Sequence, residues 1–247
     1  MPLFTILTLF PEALAAYLSV GIVGQARARG LLDVRLVDFR DWTRDRHRTV
    51  DDRPFGGGPG MVLKPEPITE AIEWIEARHG EHRKIALCPA GIQFRQPQAA
   101  NWMAGCLNDR PLLLICGRYE GFDERLYDLH QIEACSIGDY VLAGGELPAL
   151  CVLEACARLI PGALGDDRSA REDSFQTERS ESAATGLQGC APGDLGPLDH
   201  PHYTRPRVYR SLAVPDVLLG GDHAAIASWR EAQAIERTRT RRPDLAR

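Results

Sequence analysis

Leu112-Leu-Leu-Ile-Cys-Gly-Arg-Tyr-Glu-Gly-Phe-Asp-Glu-Arg-Leu-Tyr-Asp-Leu-His130 holds the fold in miniature. The apolar run Leu112–Cys116 reads as a strand buried on both faces, of the kind found inside parallel sheets. Gly117–Gly121 is a loop, and Asp123–His130 reads as a short helix. The same alternation continues upstream, where strand-like runs at Leu3–Phe10, Val34–Phe39 and Lys84–Cys88 are followed by or interleaved with helical stretches at Glu12–Ser19, Glu66–Arg78 and Gln98–Cys106. Such a pattern predicts an α/β fold with a mainly parallel sheet covered by helices on both faces. Downstream, Leu147, Leu150, Leu153, Cys156 and Ile160 recur at three- and four-residue spacing before Pro161-Gly162, which predicts an amphipathic helix closing the α/β part at about residue 165.

Beyond that helix the composition changes. Residues 166–200 carry eight acidic residues against three arginines and a single aromatic, Phe175, and read as a flexible linker. Residues 201–247 carry nine arginines against five acidic residues, with a long helix from Asp222 to about Thr240. The whole chain of 247 residues has a net charge of -5, which on bulk charge argues against a nucleic-acid binder. Segmentation changes that reading, because the last 47 residues are net +4. Seven cysteines without a C-x-x-C pair, mostly in apolar runs, read as free buried thiols of a reducing compartment. No apolar run is long enough for a membrane span and the start lacks a basic signal sequence, so a soluble, cytoplasmic protein is expected.

Three glycine-rich loops stand out: Asp51-Asp-Arg-Pro-Phe-Gly-Gly-Gly-Pro-Gly60, Gly117-Arg-Tyr-Glu-Gly121 and Ser136-Ile-Gly-Asp-Tyr-Val-Leu-Ala-Gly-Gly-Glu-Leu-Pro148. None is a dinucleotide-binding G-x-G-x-x-G or a P-loop. The second and third follow the fourth and a fifth strand candidate, and open α/β sheets bind ligands outside the carboxyl ends of their strands. A small-molecule site between loops 117–121 and 136–145 is therefore expected. A tight turn is the plain alternative for each loop alone.

These strings, the first of them flanked by Thr49, Val50 and Met61, together with Glu172-Asp-Ser-Phe175 and Pro201-His-Tyr-Thr-Arg-Pro206, resemble the bacterial tRNA (guanine-N1)-methyltransferases acting on guanosine 37, within the SPOUT superfamily. The resemblance runs from the first strand to near the C-terminus. It implies a mainly parallel α/β domain (1–165) with a deep trefoil knot that binds S-adenosylmethionine, a linker (166–200) carrying the catalytic Asp, and a small helical tRNA-binding domain (201–247). It also implies a homodimer whose active sites are shared between subunits. By residue, it assigns the cofactor to Gly117, Ile137, Gly138, Asp139, Tyr140, Val141, Leu142, Gly144 and Gly145. Glu120 joins the catalytic set, and Tyr119 and Asp51 contact the substrate.

Methylating N1 of guanine requires loss of the N1 proton to a general base and stabilisation of the charge that develops on O6. The resemblance gives these roles to Asp173 and Arg158 respectively. Without it, Asp173 would read as a solvated charge in an acidic linker and Arg158 as a partner of a helix C-terminus. A Mg²⁺ requirement is also implied, yet no ligand constellation is legible, and His47, His202 and His223 lack metal spacing. The arginines at 205, 207, 210, 230, 237, 239, 241 and 242 are expected to meet tRNA phosphates. Two other readings share the fold: a non-catalytic RNA-binding dimer, and a SPOUT enzyme with a different RNA target. The stretch 176–197 and His200, where the family tends to have Cys, depart from the family pattern.

Overall fold

The computed structural model describes residues 1–166, 168–176 and 195–245. The chain separates into two compact units, Met1–Gly165 and Asp166–Arg247.

The first unit runs β1 (Leu3–Thr8), α1 (Pro11–Ala15), α2 (Gly21–Ala28), β2 (Asp33–Asp38), β3 (Asp51–Asp52), β4 (Val62–Leu63), α3 (Pro65–His79), β5 (Arg83–Gln93), α4 (Gln96–Leu107), β6 (Leu112–Cys116), α5 (Arg125–His130), β7 (Glu133–Ser136) and α6 (Glu146–Ala157). Five strands form one sheet in the order β2-β1-β6-β5-β7, with every neighbouring pair parallel. Strands β3 and β4 pair separately as a short antiparallel ribbon.

β6 is buried along its whole length, which is why its sequence is continuously apolar rather than alternating. Side chains of successive strand residues face opposite ways. Leu112, Leu114 and Cys116 accordingly pack with Val23 of α2, Met103 of α4 and Val152 of α6. Leu113 and Ile115 pack instead with Ile68 and Ile72 of α3 and Leu126 of α5. Helices therefore cover both faces, as the alternation predicts.

Three local expectations change. The helix expected over Glu12–Ser19 breaks into α1 and a 3₁₀ turn at Tyr17–Ser19, and α2 follows, unforeseen. The strand expected to end at Cys88 continues to Gln93 through an irregularity between Leu87 and Ile92. Gly91 permits this, since a Cβ there would collide with the backbone of Ala134 and Cys135 on the neighbouring strand. Leu147, expected on the buried face of α6, is 63% exposed, and the face is completed instead by Ala149, Val152 and Ala157. The thiols of Cys106, Cys116, Cys135 and Cys156 are buried as expected, whereas Cys151 is exposed.

The second unit contains α7 (Arg168–Glu172), the ribbon β8 (Val208–Tyr209) with β9 (Leu212–Ala213), and α8 (His223–Arg241). Asp222 caps α8, its carboxylate accepting from the N–H groups of Ala224 and Ala225 at 3.0 Å each. The linker reading of 166–200 falls partly on residues outside the described ones, 167 and 177–194; its described part holds α7 and the turn after it. Among the described residues, no helix is long and apolar enough to cross a membrane.

Candidate active site

The loops leaving the carboxyl ends of β6 and β7 meet over one cleft of about 270 Å³, at the lower edge of the volumes usual for small-molecule sites. Gly117, Arg118, Tyr119, Glu120 and Gly121 form one side of it, and Ile137, Gly138 and the run Tyr140–Gly145 form the other. Leu87, Cys88 and Pro89, at the end of the straight part of β5, supply a third wall that the sequence did not mark.

Backbone contacts fix the two loops. The Gly145 N–H donates to the Gly117 carbonyl at 2.9 Å, and Arg118 and Gly144 form an antiparallel bridge. A Cβ on Gly145 would lie 2.7 Å from Cys116 Cα, so only glycine lets the loop lie this close to the strand end. On the far side, the Ser136 hydroxyl accepts from the Gly138 N–H at 3.2 Å and donates to the Gly138 carbonyl at 3.0 Å. The Tyr140 N–H donates to that carbonyl at 3.0 Å, coiling the loop tightly. The first glycine-rich loop reaches the same place: the Glu120 N–H donates to Met61 O at 2.9 Å.

Of the lining residues only Arg118 and Glu120 carry charge. Arg118 is paired with Glu146, Nη2 to Oε2 at 2.8 Å, which leaves the exposed Glu120 as the uncompensated charge at the rim. Such a cleft, apolar at Leu87, Ile137 and Leu142, rich in main-chain groups and negative at its rim, suits a flat polar ring joined to a cation.

Of the expected cofactor residues, Gly117, Ile137, Gly138, Tyr140, Val141, Leu142, Gly144 and Gly145 line the cleft, as do Tyr119 and Glu120. Asp139 is exposed and lies outside the lining. Asp51 stands in β3, paired with Leu63 of β4, also outside it. Arg158 is the C-cap of α6, twelve residues beyond Glu146 and so about 18 Å along the helix from the cleft end. Asp173, half-buried, follows α7 in the second unit. Sequence reasoning passed over Arg118 and Glu146; an acid directly after the Gly144-Gly145 pair, at the start of a largely apolar helix, was the available signal.

A family model described as tRNA (Guanine-1)-methyltransferase TrmD matches residues 3–247. A curated protein of Alcanivorax borkumensis, named tRNA (guanine-N(1)-)-methyltransferase, is 48% identical over 242 residues, covering 98% of this chain and 84% of that protein. Proteins of the same name from Halorhodospira halophila and Geobacillus kaustophilus are 47% and 43% identical, over 97% of this chain and 83% and 89% of theirs. The chain belongs to the tRNA (guanine-N1)-methyltransferase family.

In this family member the second unit has a cleft of its own, about 490 Å³, lined by His200, His202, Tyr203, Arg205, Arg207 and Arg230 among others. Its lining contains no acidic residue, so the cleft is basic. Arg205, Arg207, Arg210, Arg230, Arg239 and Arg241 are exposed, while Arg237 and Arg242 are half-buried.

His202, which lacks metal spacing by sequence, nevertheless meets Asp199 and His200 in space. Asp199 Oδ1 lies 2.6 Å from His200 Nδ1 and Oδ2 lies 2.8 Å from His202 Nε2, one carboxylate serving both rings across Pro201. This cluster does not suit the Mg²⁺ implied for the family. Mg²⁺ selects octahedral oxygen ligands, and here two of three donors are imidazole nitrogens while the carboxylate is already engaged. Burial holds the His200 imidazole below the ordinary histidine pKa, against the opposing pull of the Asp199 carboxylate.

Proposed function

We propose that this protein transfers the methyl group of S-adenosylmethionine to N1 of guanosine 37 in tRNA, in the cytoplasm, as a homodimer of knotted SPOUT subunits. The observation that carries the reading is the convergence of loops 117–121 and 137–145 on one cleft, in a chain whose family and curated relatives bear the methyltransferase name. The described residues fit the cofactor: apolar walls for an adenine face, main-chain groups for its edge, and Glu120 opposite a positive charge. When bound, S-adenosylmethionine supplies a methyl group activated on a sulfonium.

The protein's own residues then have two tasks. Asp173 takes the N1 proton of guanine, freeing the lone pair in the ring plane. Arg158 donates to O6, where negative charge develops as that proton leaves. Tyr119, Glu120 and Asp51 orient the base and its neighbour, and the basic cleft and arginines of the second unit hold the anticodon stem by its phosphates.

The dimer is supported by two features of the first unit. Arg158 stands at the opposite end of α6 from the cleft its own loops form, so it is poised to serve the cleft of a second copy. Leu147 and Val141 expose apolar surface, 63% and 83%, beside the start of that helix. The knot reading is supported by the way loop 137–145 returns against Gly117 and Arg118 before α6.

The test is transfer of labelled methyl from S-adenosylmethionine to tRNA transcripts carrying guanosine or adenosine at 37. Transfer to guanosine 37 alone is expected. Equal transfer to adenosine 37 would point to another RNA target, and RNA binding without any transfer to the non-catalytic dimer.

A further inference from the structure

Glu146 opens α6, and at 7% exposure it is the most deeply buried carboxylate residue among the described residues. Three separate parts of the first unit converge on it. The Thr8 hydroxyl, at the end of β1, donates to Oε1 at 2.8 Å and itself accepts from the Phe10 N–H at 3.0 Å. Arg118, in the loop after β6, brings Nη2 within 2.8 Å of Oε2. The same guanidinium donates from Nη1 to the Ala143 carbonyl at 3.2 Å, and its plane lies over the Phe10 ring, 4.5 Å from the centroid. Gly144 is packed so closely on this pair that a Cβ would collide with both Arg118 Nε and Glu146 Oε2.

Burying a carboxylate against a partly covered guanidinium is costly, and an ion pair that served only to fill space could be replaced by apolar side chains at little loss. What the pair adds is direction: it ties the carbonyl of Ala143, inside the cleft-forming loop, to the sheet. The tie also retains spare capacity. Nη2 and Oε2 are close but not aligned for a hydrogen bond, and Arg118 Nε and Glu146 Oε2 have no aligned partner among the described residues.

We propose that Arg118 and Glu146, anchored by Thr8, are positioning residues for cofactor binding: they hold residues 140–145 in the conformation that walls the cleft, without touching the reacting atoms. The inference rests on the reading of that cleft as the S-adenosylmethionine site. Glu146→Gln keeps an acceptor for Thr8 but abolishes the charge that holds Arg118. Arg118→Lys keeps a charge but cannot reach Glu146 and the Ala143 carbonyl in the same fixed fork.

The experiment is titration of the full-length protein with S-adenosylmethionine by calorimetry, alongside steady-state kinetics and thermal melting. Each single variant is expected to raise the Kd for S-adenosylmethionine about tenfold, the equivalent of about 1.4 kcal/mol, and to raise the KM for S-adenosylmethionine by a larger factor than it lowers kcat. The double variant Arg118→Met with Glu146→Gln removes the unpaired charge, and it is expected to recover melting temperature but not cofactor affinity. Recovery of affinity together with stability would overturn the positioning role, as would wild-type Kd in Arg118→Lys, whose partly exposed side chain makes it the variant safest to fold. Failure of the wild type itself to bind S-adenosylmethionine would overturn the reading of the cleft, and this inference with it.

Discussion

Gly145→Ala is a clean steric probe of the cleft. Gly145 has φ -82°, a conformation open to any residue, so the substitution brings no backbone strain of its own. The added methyl would lie 2.7 Å from Cys116 Cα, 2.9 Å from the Gly117 nitrogen and 3.2 Å from the Cys116 carbonyl carbon. All three are backbone atoms at the end of a fully buried strand, so none can swing aside. Ordinary carbon contacts lie at about 3.5–4.0 Å, so the loop must retreat by roughly 1 Å. Overpacking of that kind costs about 1–3 kcal/mol. Retreat also removes the Gly145 hydrogen bond to Gly117 O, so most of the cost should fall on the loop that walls the cleft. Calorimetric titration with S-adenosylmethionine should therefore show Kd raised by roughly 5- to 150-fold. Any share of the cost borne by the whole unit should lower the melting temperature by about 2–4 °C per kcal/mol. A variant with wild-type Kd and wild-type melting temperature would refute the close approach of loop and strand, and with it the account of the cleft.

Binding of tRNA should weaken steeply with salt, and Arg230→Ala should lower the slope of log K against log salt by about 1, read by filter binding across a salt series. A salt-independent affinity would remove the arginines from the interface. His82 is buried, within 2.8 Å of Gly80 O and 3.3 Å of Thr5 Oγ1, and burial holds its pKa below the ordinary value. The unfolded chain thus takes up its proton first, so stability is fully present above about pH 6.5 and declines as pH falls from there toward the lowered folded pKa. Urea midpoints measured against pH should show that decline in wild type and a flatter profile in His82→Gln. Burial pushes the Cys106 thiol up to about 12 and Cys135 to about 11, whereas Cys151 is exposed. Mass-spectrometric mapping of alkylation at pH 8 should accordingly find Cys106 and Cys135 modified only after unfolding.

The parallel sheet was legible because burial on both faces leaves a direct mark on composition. Leu112–Cys116 has no polar residue to spare, and the helices that cover it repeat at helical spacing. The bulge in β5 was not legible, because Gly91 matters only for what lies across from it, the backbone of Ala134 and Cys135. Leu147 misled for a related reason. Periodicity marks an apolar stripe but not what covers it, and within one chain the stripe of α6 outruns the sheet beneath.

The cleft loops were visible through their glycines, which propensity cannot explain, whereas the Arg118–Glu146 tie joins a loop residue to the first residue of a helix 28 positions on, a distance no local pattern reports. The meeting of Asp199, His200 and His202 was hidden likewise, since the reach of two rings to one carboxylate depends on the local turn and not on the count of residues. Charge was misleading only at the scale of the whole chain: the acidic excess and the arginine-rich end belong to different segments.

The central claim is that guanosine N1 is methylated after Asp173 removes its proton. Single-turnover methyl transfer to a guanosine-37 transcript by Asp173→Asn, at saturating S-adenosylmethionine and tRNA, tests it most directly. The amide cannot accept that proton, so the rate should fall by about 10²–10⁴-fold with cofactor and tRNA affinity retained. An undiminished rate would contradict the mechanism.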